Sequence, residues 1–148
     1  MTWTSRYFSR AELTASDTAT RRGIKNDPPA DVLAKLQDTA ERMDHVREVL
    51  GKPIIVSSGY RSPALNKVIG GSNTSHHTLG YAVDFTCPGF GTPLDVARHI
   101  RDAGIRFDQL IYEFGSWVHI SFAPQMRRQL LTAKKINGKT VYEVGLNA

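Results

Sequence analysis

The segment Ala82-Val83-Asp84-Phe85 puts a carboxylate inside a short apolar run, and nothing else in the chain constrains the fold as much. A run of this length and apolar character reads as a strand. A charge carried into such a strand needs a partner or a metal ion to offset its desolvation. The residues just before it, Ser75-His76-His77-Thr78-Leu79-Gly80-Tyr81, supply imidazoles, and Gly80 marks a turn that redirects the chain. A further imidazole, His119, lies in Trp117-Val118-His119-Ile120-Ser121, which reads as another strand.

His77, Asp84 and His119 together read as a zinc site. Two neutral imidazoles and a carboxylate give Zn²⁺ three protein ligands and leave a fourth position open for water, as catalytic sites do. The same donors would also accept Co²⁺, Ni²⁺ or Fe²⁺. Taken singly, His77 could be a surface loop histidine and His119 a hydrogen-bonded structural one. His76 competes with His77 for the metal, but adjacent side chains in a strand or tight turn point apart, so His76 is expected to support the site from outside or to face solvent. His45 and His99 lie in helical stretches without a second ligand four residues away and read as surface or packing residues. Cys87 precedes Pro88 and reads as a small buried hydrophobe.

The pattern Ser75-x-His77-x-x-Gly80-x-Ala82-x-Asp84, followed by Trp117-x-His119, resembles the zinc peptidases of the D-alanyl-D-alanine carboxypeptidase family, M15. The similarity extends to Ile54-Ile55-Val56-Ser57-Ser58-Gly59-Tyr60-Arg61-Ser62, which looks like the segment that carries a substrate-binding arginine in that family, here Arg61. Phe8 to Asn26 looks like phage-encoded members and their bacterial relatives. The resemblance implies a Hedgehog/DD-peptidase-like zinc fold, one Zn²⁺ as cofactor and peptidoglycan peptides containing D-amino acids as substrate. It leaves three bonds open: terminal D-Ala-D-Ala, the D-Ala to diaminopimelate cross-link, and the L-Ala to D-Glu bond. A phage-endolysin-like peptidase is the first expectation, and a carboxypeptidase trimming wall precursors the second. The zinc arrangement also resembles that of the Hedgehog signalling domain, where it serves structure and binding. A non-catalytic wall-binding or virion structural module is therefore the third.

Some branches of the family carry Glu three residues before the last His, where this chain has Ser116. Glu113 is then the best candidate for the general base. A three-residue loop Gly115-Ser116-Trp117 would set Glu113 directly opposite His119, whereas a two-residue loop would turn it away as an edge glutamate. Asp108 lies farther along the strand and is a poorer substitute. The planar fork of Arg61 suits a substrate carboxylate or a developing oxyanion, with a surface ion pair as its alternative. Ser58, Tyr60, Ser75 and Trp117 are candidate substrate contacts or supports, and Trp117 would wall the cleft or simply pack.

With 148 residues, 41% apolar and 22% charged, the chain is the size of one ordinary domain, 1–148, able to bury its own core. Its single cysteine allows no intramolecular disulfide. The formal charge of +5 favours anionic surfaces such as nucleic acid, membrane or cell wall. The basic residues are scattered, without a nucleic-acid arm or interleaved stacking aromatics, so peptidoglycan is the expected partner. A monomer is expected. The first residues do not form a secretory signal, and no apolar run approaches the roughly 20 residues of a membrane span. The reading is therefore a protein made in the cytoplasm that reaches the wall through a separate factor.

Local signals predict an α+β architecture, with a mainly antiparallel sheet and helices packed on one side. Ser9 and Glu12 form a capping-box pattern behind Phe8, opening a short helix that ends by Gly23. From Asp31 to Leu50, apolar residues from Val32 to Leu50 recur at three- and four-residue spacing, closed by Gly51. Ile54-Ile55-Val56 reads as a buried strand. Ser62-Pro63 opens a short helix, and Thr92-Pro93-Leu94-Asp95 opens another that runs to Gly104. Gln109 to Phe114 and Trp117 to Phe122 form one hairpin, and Asn137-Gly138 turns a second.

Overall fold

Ser9 and Ser16 each start a helix near the N-terminus of the described chain, residues 2–148 of a computed structural model. These are α1 (Arg10–Thr14) and α2 (Asp17–Arg22). The Ser9 capping box forms, with Ser9 Oγ accepting from Glu12 N at 3.0 Å. The one helix expected before Gly23 is two, because Ala15 is extended and the Ser16 side chain accepts from Ala19 N to cap a new start.

Next come α3 (Ala30–Leu50), β1 (Ile55–Ser58), α4 (Pro63–Ile69), a one-turn 3₁₀ helix (His76–Leu79), β2 (Ala82–Thr86) and α5 (Pro93–Asp102). Strands β3 (Gln109–Glu113), β4 (Trp117–Ser121), β5 (Gln129–Ile136) and β6 (Lys139–Val144) complete the fold. The strands form one six-stranded sheet in the order β1-β2-β4-β3-β5-β6. Only β3 and β5 run parallel, and the other neighbours are antiparallel. This is the expected α+β class with a mainly antiparallel sheet. Asn137 and Gly138, at φ +53° and +77°, form the two-residue turn between the paired Ile136 and Lys139.

Alternation along the strands divides the sheet into two unlike faces. Val83, Phe85, Leu110, Val118 and Ile120 point to one face and bury against Leu36, Met43 and Val46 of α3 and Val96 and Ile100 of α5. Asp84, Ile111, Glu113, Trp117 and His119 belong to the other face, which lines an open cleft of about 940 Å³. The period of two thus places polar chemistry on the side that α3 and α5 do not cover. The strand expected to be buried at Ile54 to Val56 is instead an edge: β1 pairs only with β2, and Ile55 is 55% exposed.

Met43 is fully buried at the centre of α3's apolar stripe. Met43→Ala is expected to cost about 2–5 kcal/mol through lost burial and a residual cavity. Urea unfolding would show this as a lower midpoint with unchanged slope.

Candidate metal centre

The 3₁₀ turn that carries His77 is held from both sides. Ser75 Oγ accepts from His77 N at 3.2 Å, and the Thr78 hydroxyl donates to Ser75 O at 2.7 Å. On the far side the buried Thr39 hydroxyl of α3 donates to Gly80 O at 2.7 Å. Gly80 has φ +81°, and a Cβ there would be strained and would crowd Val32 O at 3.0 Å, so glycine lets α3 and the turn approach closely. His77 is buried, and its Nδ1–H donates to Gly59 O at 2.8 Å. That bond orients the ring with Nε2 toward Asp84, and once Nε2 gives up its proton its lone pair can bind a metal.

Asp84 and His119 face each other as register partners of β2 and β4. Asp84 Oδ1 lies 2.8 Å from His119 Nδ1, and Oδ2 lies 3.2 Å from His77 Nε2. The ligand atoms of His77, Asp84 and His119 all fall within 4.8 Å of one another, and all three residues are buried. Burial would push the Asp84 carboxyl up, but the charge of His77 and the hydrogen bonds from both imidazoles outweigh it and hold the group well below the usual carboxylate range. An ionised carboxylate and two imidazole nitrogens converging from three segments are a donor set that suits zinc.

Arg61 completes the surroundings of Asp84. Its NH2 reaches Asp84 Oδ2 at 3.3 Å, Nε donates to Ser58 Oγ at 3.1 Å, and NH1 donates to Asn66 Oδ1 at 3.4 Å. With its side chain only 15% exposed, Arg61 forms a largely buried pair with Asp84 and not a surface salt bridge.

Glu113 is on the site face, but not in the register that the loop was expected to impose. Ile111 stands opposite His119, and Glu113 pairs with Trp117. The loop is Phe114-Gly115-Ser116, with Phe114 at φ +55° and Gly115 at +68°. This slips the pairing by two residues, and a two-residue slip preserves the face. Glu113 therefore approaches His119 diagonally, with Oε1 at 3.8 Å from His119 Nδ1. Burial pushes its carboxyl above the ordinary glutamate value, and the Asp84 charge adds to this against His119 and Arg61.

The other sequence candidates divide. Trp117 lines the cleft, stacks at 5.4 Å on Phe114, and buries its Nε1 without an acceptor among the described residues. Ser75 lines the cleft and caps the His77 turn. Tyr60 is 3% exposed within the core, and Ser58 bonds Arg61; both line a separate cavity of about 370 Å³ beside α2 and not the cleft. His76 turns from the ligands, and its Nδ1 lies 2.6 Å from Ser121 Oγ. His45 is exposed, whereas His99 stacks on Phe90 and Cys87 is buried.

Sequence reasoning missed Tyr142, Arg127 and the role of Asp108. Tyr142 and Arg127 line the cleft, and Asp108 is buried and grips Arg127. The only signal lay in Asp108 itself, a carboxylate following Phe107.

A buried pair of histidines and a carboxylate lining an open cleft, with a glutamate alongside, is the donor arrangement of a mononuclear metal site. The family model for Peptidase M15 matches residues 6–121, and the chain belongs to that family of metallopeptidases. No curated protein matches the chain closely enough to serve as a relative. M15 peptidases are zinc-dependent, and the His77–Asp84–His119 cluster is present here to receive an ion.

Gly59 links the core to the centre, because a Cβ there would lie 2.3 Å from Leu13 O while the Gly59 carbonyl holds His77. Gly59→Ala is expected to cost about 1–3 kcal/mol of stability and about 10–100-fold in zinc affinity. A thermal scan and a zinc titration by calorimetry read the two effects. Hydrogen bonding from Arg127 holds the Asp108 carboxyl below its ordinary value against the opposing effect of burial. The stabilisation is present in full above the unfolded value of about 3.9 and is lost as pH falls through the depressed folded value. Acid unfolding followed by circular dichroism should accordingly show a flattened low-pH limb in Asp108→Asn.

Proposed function

We propose that this protein is a zinc-dependent peptidase that hydrolyses a peptide bond in the stem peptide or cross-link of bacterial peptidoglycan. The observation that carries this reading is the convergence of His77, Asp84 and His119 with Glu113 and Arg61 in one cleft. Membership of the M15 family supports the substrate class. His77 through Nε2, His119 through Nδ1 and Asp84 would hold the ion. Zinc bound there would supply Lewis acidity toward the scissile carbonyl and lower the pKa of a water toward neutrality.

The chain's own groups account for the remaining steps. Glu113, with a raised pKa and Oε1 beside His119, is placed to take a proton from the attacking water and return it to the leaving amine. Arg61 has five N–H donors. Three are engaged by Ser58, Asn66 and Asp84, which leaves two to hold a carboxylate or the developing oxyanion. Trp117 and Ile111 supply apolar walls to the cleft. An endolysin-like role, in which a separate factor delivers the protein to the wall, belongs to the same proposal. The charge of +5 favours its retention on an anionic wall.

Digestion of isolated peptidoglycan by the zinc-loaded protein, with fragments identified by mass spectrometry, tests this reading. New amino termini are expected; chelator should remove them, and Glu113→Gln should lower the rate about 10²–10⁴-fold. The position of the new termini separates endopeptidase from D-alanyl-D-alanine carboxypeptidase activity. Zinc-loaded protein that releases no fragment from wall or soluble pentapeptide would overturn the enzyme reading in favour of a non-catalytic wall-binding module.

A further inference from the structure

We propose that Arg127, locked in place by the buried carboxylate of Asp108, is a second carboxylate-binding group of the cleft and selects substrates that carry a free carboxylate away from the scissile bond. The proposal rests on the reading of the cleft as a peptidoglycan peptide site. Asp108 is fully buried, and all of its captured donors come from one residue: Oδ1 accepts from Arg127 N at 3.1 Å and Nε at 2.9 Å, and Oδ2 accepts from NH2 at 2.8 Å. The guanidinium is thus held by one edge while its side chain stays 50% exposed. Of its five N–H donors, Nε–H and one on NH2 are spent on Asp108, which leaves three on the edge away from it. A fork held this way is oriented in advance for a bidentate anion.

The backbone around Arg127 is shaped to present it. Met126 and Arg128 both have positive φ, +45° and +52°, an uncommon conformation for residues other than glycine. Backbone strain of this kind persists where surrounding contacts enforce it, and it clusters at ligand-binding sites. Arg128 supplies the enforcement from the other side of the turn. Its N donates to Phe107 O at 3.0 Å, its Nε to Ile105 O at 3.1 Å and its NH2 to Arg101 O at 3.1 Å, with the guanidinium 4.8 Å over the Phe107 ring. Arg128 therefore closes the turn against the body of the protein, which frees Arg127 to line the cleft.

The position of Arg127 fits a substrate subsite. His76 lies between the two centres: it adjoins His77 in sequence, and its Nδ1 is 2.6 Å from Ser121 Oγ and 4.0 Å from Asp108 Oδ2. Ser121 follows His119 by two residues on β4, a distance of about 7 Å. An anion on Arg127 would consequently sit roughly one to two peptide residues from the reacting bond. Glu113 and Trp117 occupy the opposite, hairpin end of the same strand pair.

The test is calorimetric titration of zinc-loaded Glu113→Gln protein, whose slowed turnover lets binding be read, at about 0.15 M salt to screen scattered surface charge. Two synthetic stem tetrapeptides serve as probes, one with its carboxylates free and one with all of them as carboxamides. The free peptide should bind more tightly, and adding Arg127→Gln should cut that preference by about tenfold or more, with the affinity for the carboxamide peptide unchanged. Arg127→Lys, which keeps the charge but loses the fork, should restore the preference only in part. Full preference retained in both Arg127 variants, or equal weakening toward both peptides, would overturn the assignment while leaving the peptidoglycan reading intact. Failure of both peptides to bind with Arg127 present would instead overturn the peptidoglycan reading, and this proposal with it.

Discussion

Burial of the Asp84 carboxylate is the constraint on which the rest of the structure depends. A charge placed between Val83 and Phe85, in the middle strand of β1-β2-β4, is almost wholly buried and must be met by other groups. Side chains from three segments meet that requirement, and a fourth segment braces one of them. The 3₁₀ turn brings His77, β4 brings His119, the residue after Gly59-Tyr60 brings Arg61, and α3 secures the turn through Thr39. The centre is thus a focus of folding, and ion binding there would add its free energy to the native state alone.

The same device appears twice on the cleft face. In each case a buried aspartate anchors an arginine whose remaining N–H groups are unspent: Asp84 with Arg61 beside the ligands, and Asp108 with Arg127 beyond His76. Removing one partner from such a pair leaves an uncompensated buried charge, so its value lies in orientation more than in net stability. Between these arginines the cleft offers Ile111 and Trp117 as apolar walls and Glu113 as a carboxylate raised by its surroundings. The cleft thus sets two arginines, apolar walls and one glutamate along a single open groove.

Much of this was legible from local chemistry. The caps at Ser9 and Thr92, the Asn137-Gly138 turn and the period of α3 each specify an element without tertiary information. The spacing from Ser75 to Asp84 brought two ligands together, because a glycine turn followed by a strand allows little other geometry. The register of the β3–β4 hairpin was not legible. Positive φ is read from glycine and asparagine, and here Phe114 adopts it. Met126 and Arg128 do the same around Arg127, which hid the second arginine. Nor did the sequence indicate that β5 would dock parallel to β3 and so bring Leu131 and Tyr142 to the cleft. Tyr60 and Ser58 line a different cavity from the cleft, because proximity in sequence to Arg61 does not decide which wall a side chain faces.

The most direct test of the account is anomalous diffraction at the zinc absorption edge from crystals of the protein grown with stoichiometric zinc. The account requires one strong peak bounded by His77 Nε2, His119 Nδ1 and a carboxylate oxygen of Asp84, with the Glu113 carboxylate no farther than one water away. A peak bounded by other residues, or a peak at this centre with no carboxylate but Asp84 in reach, would contradict it.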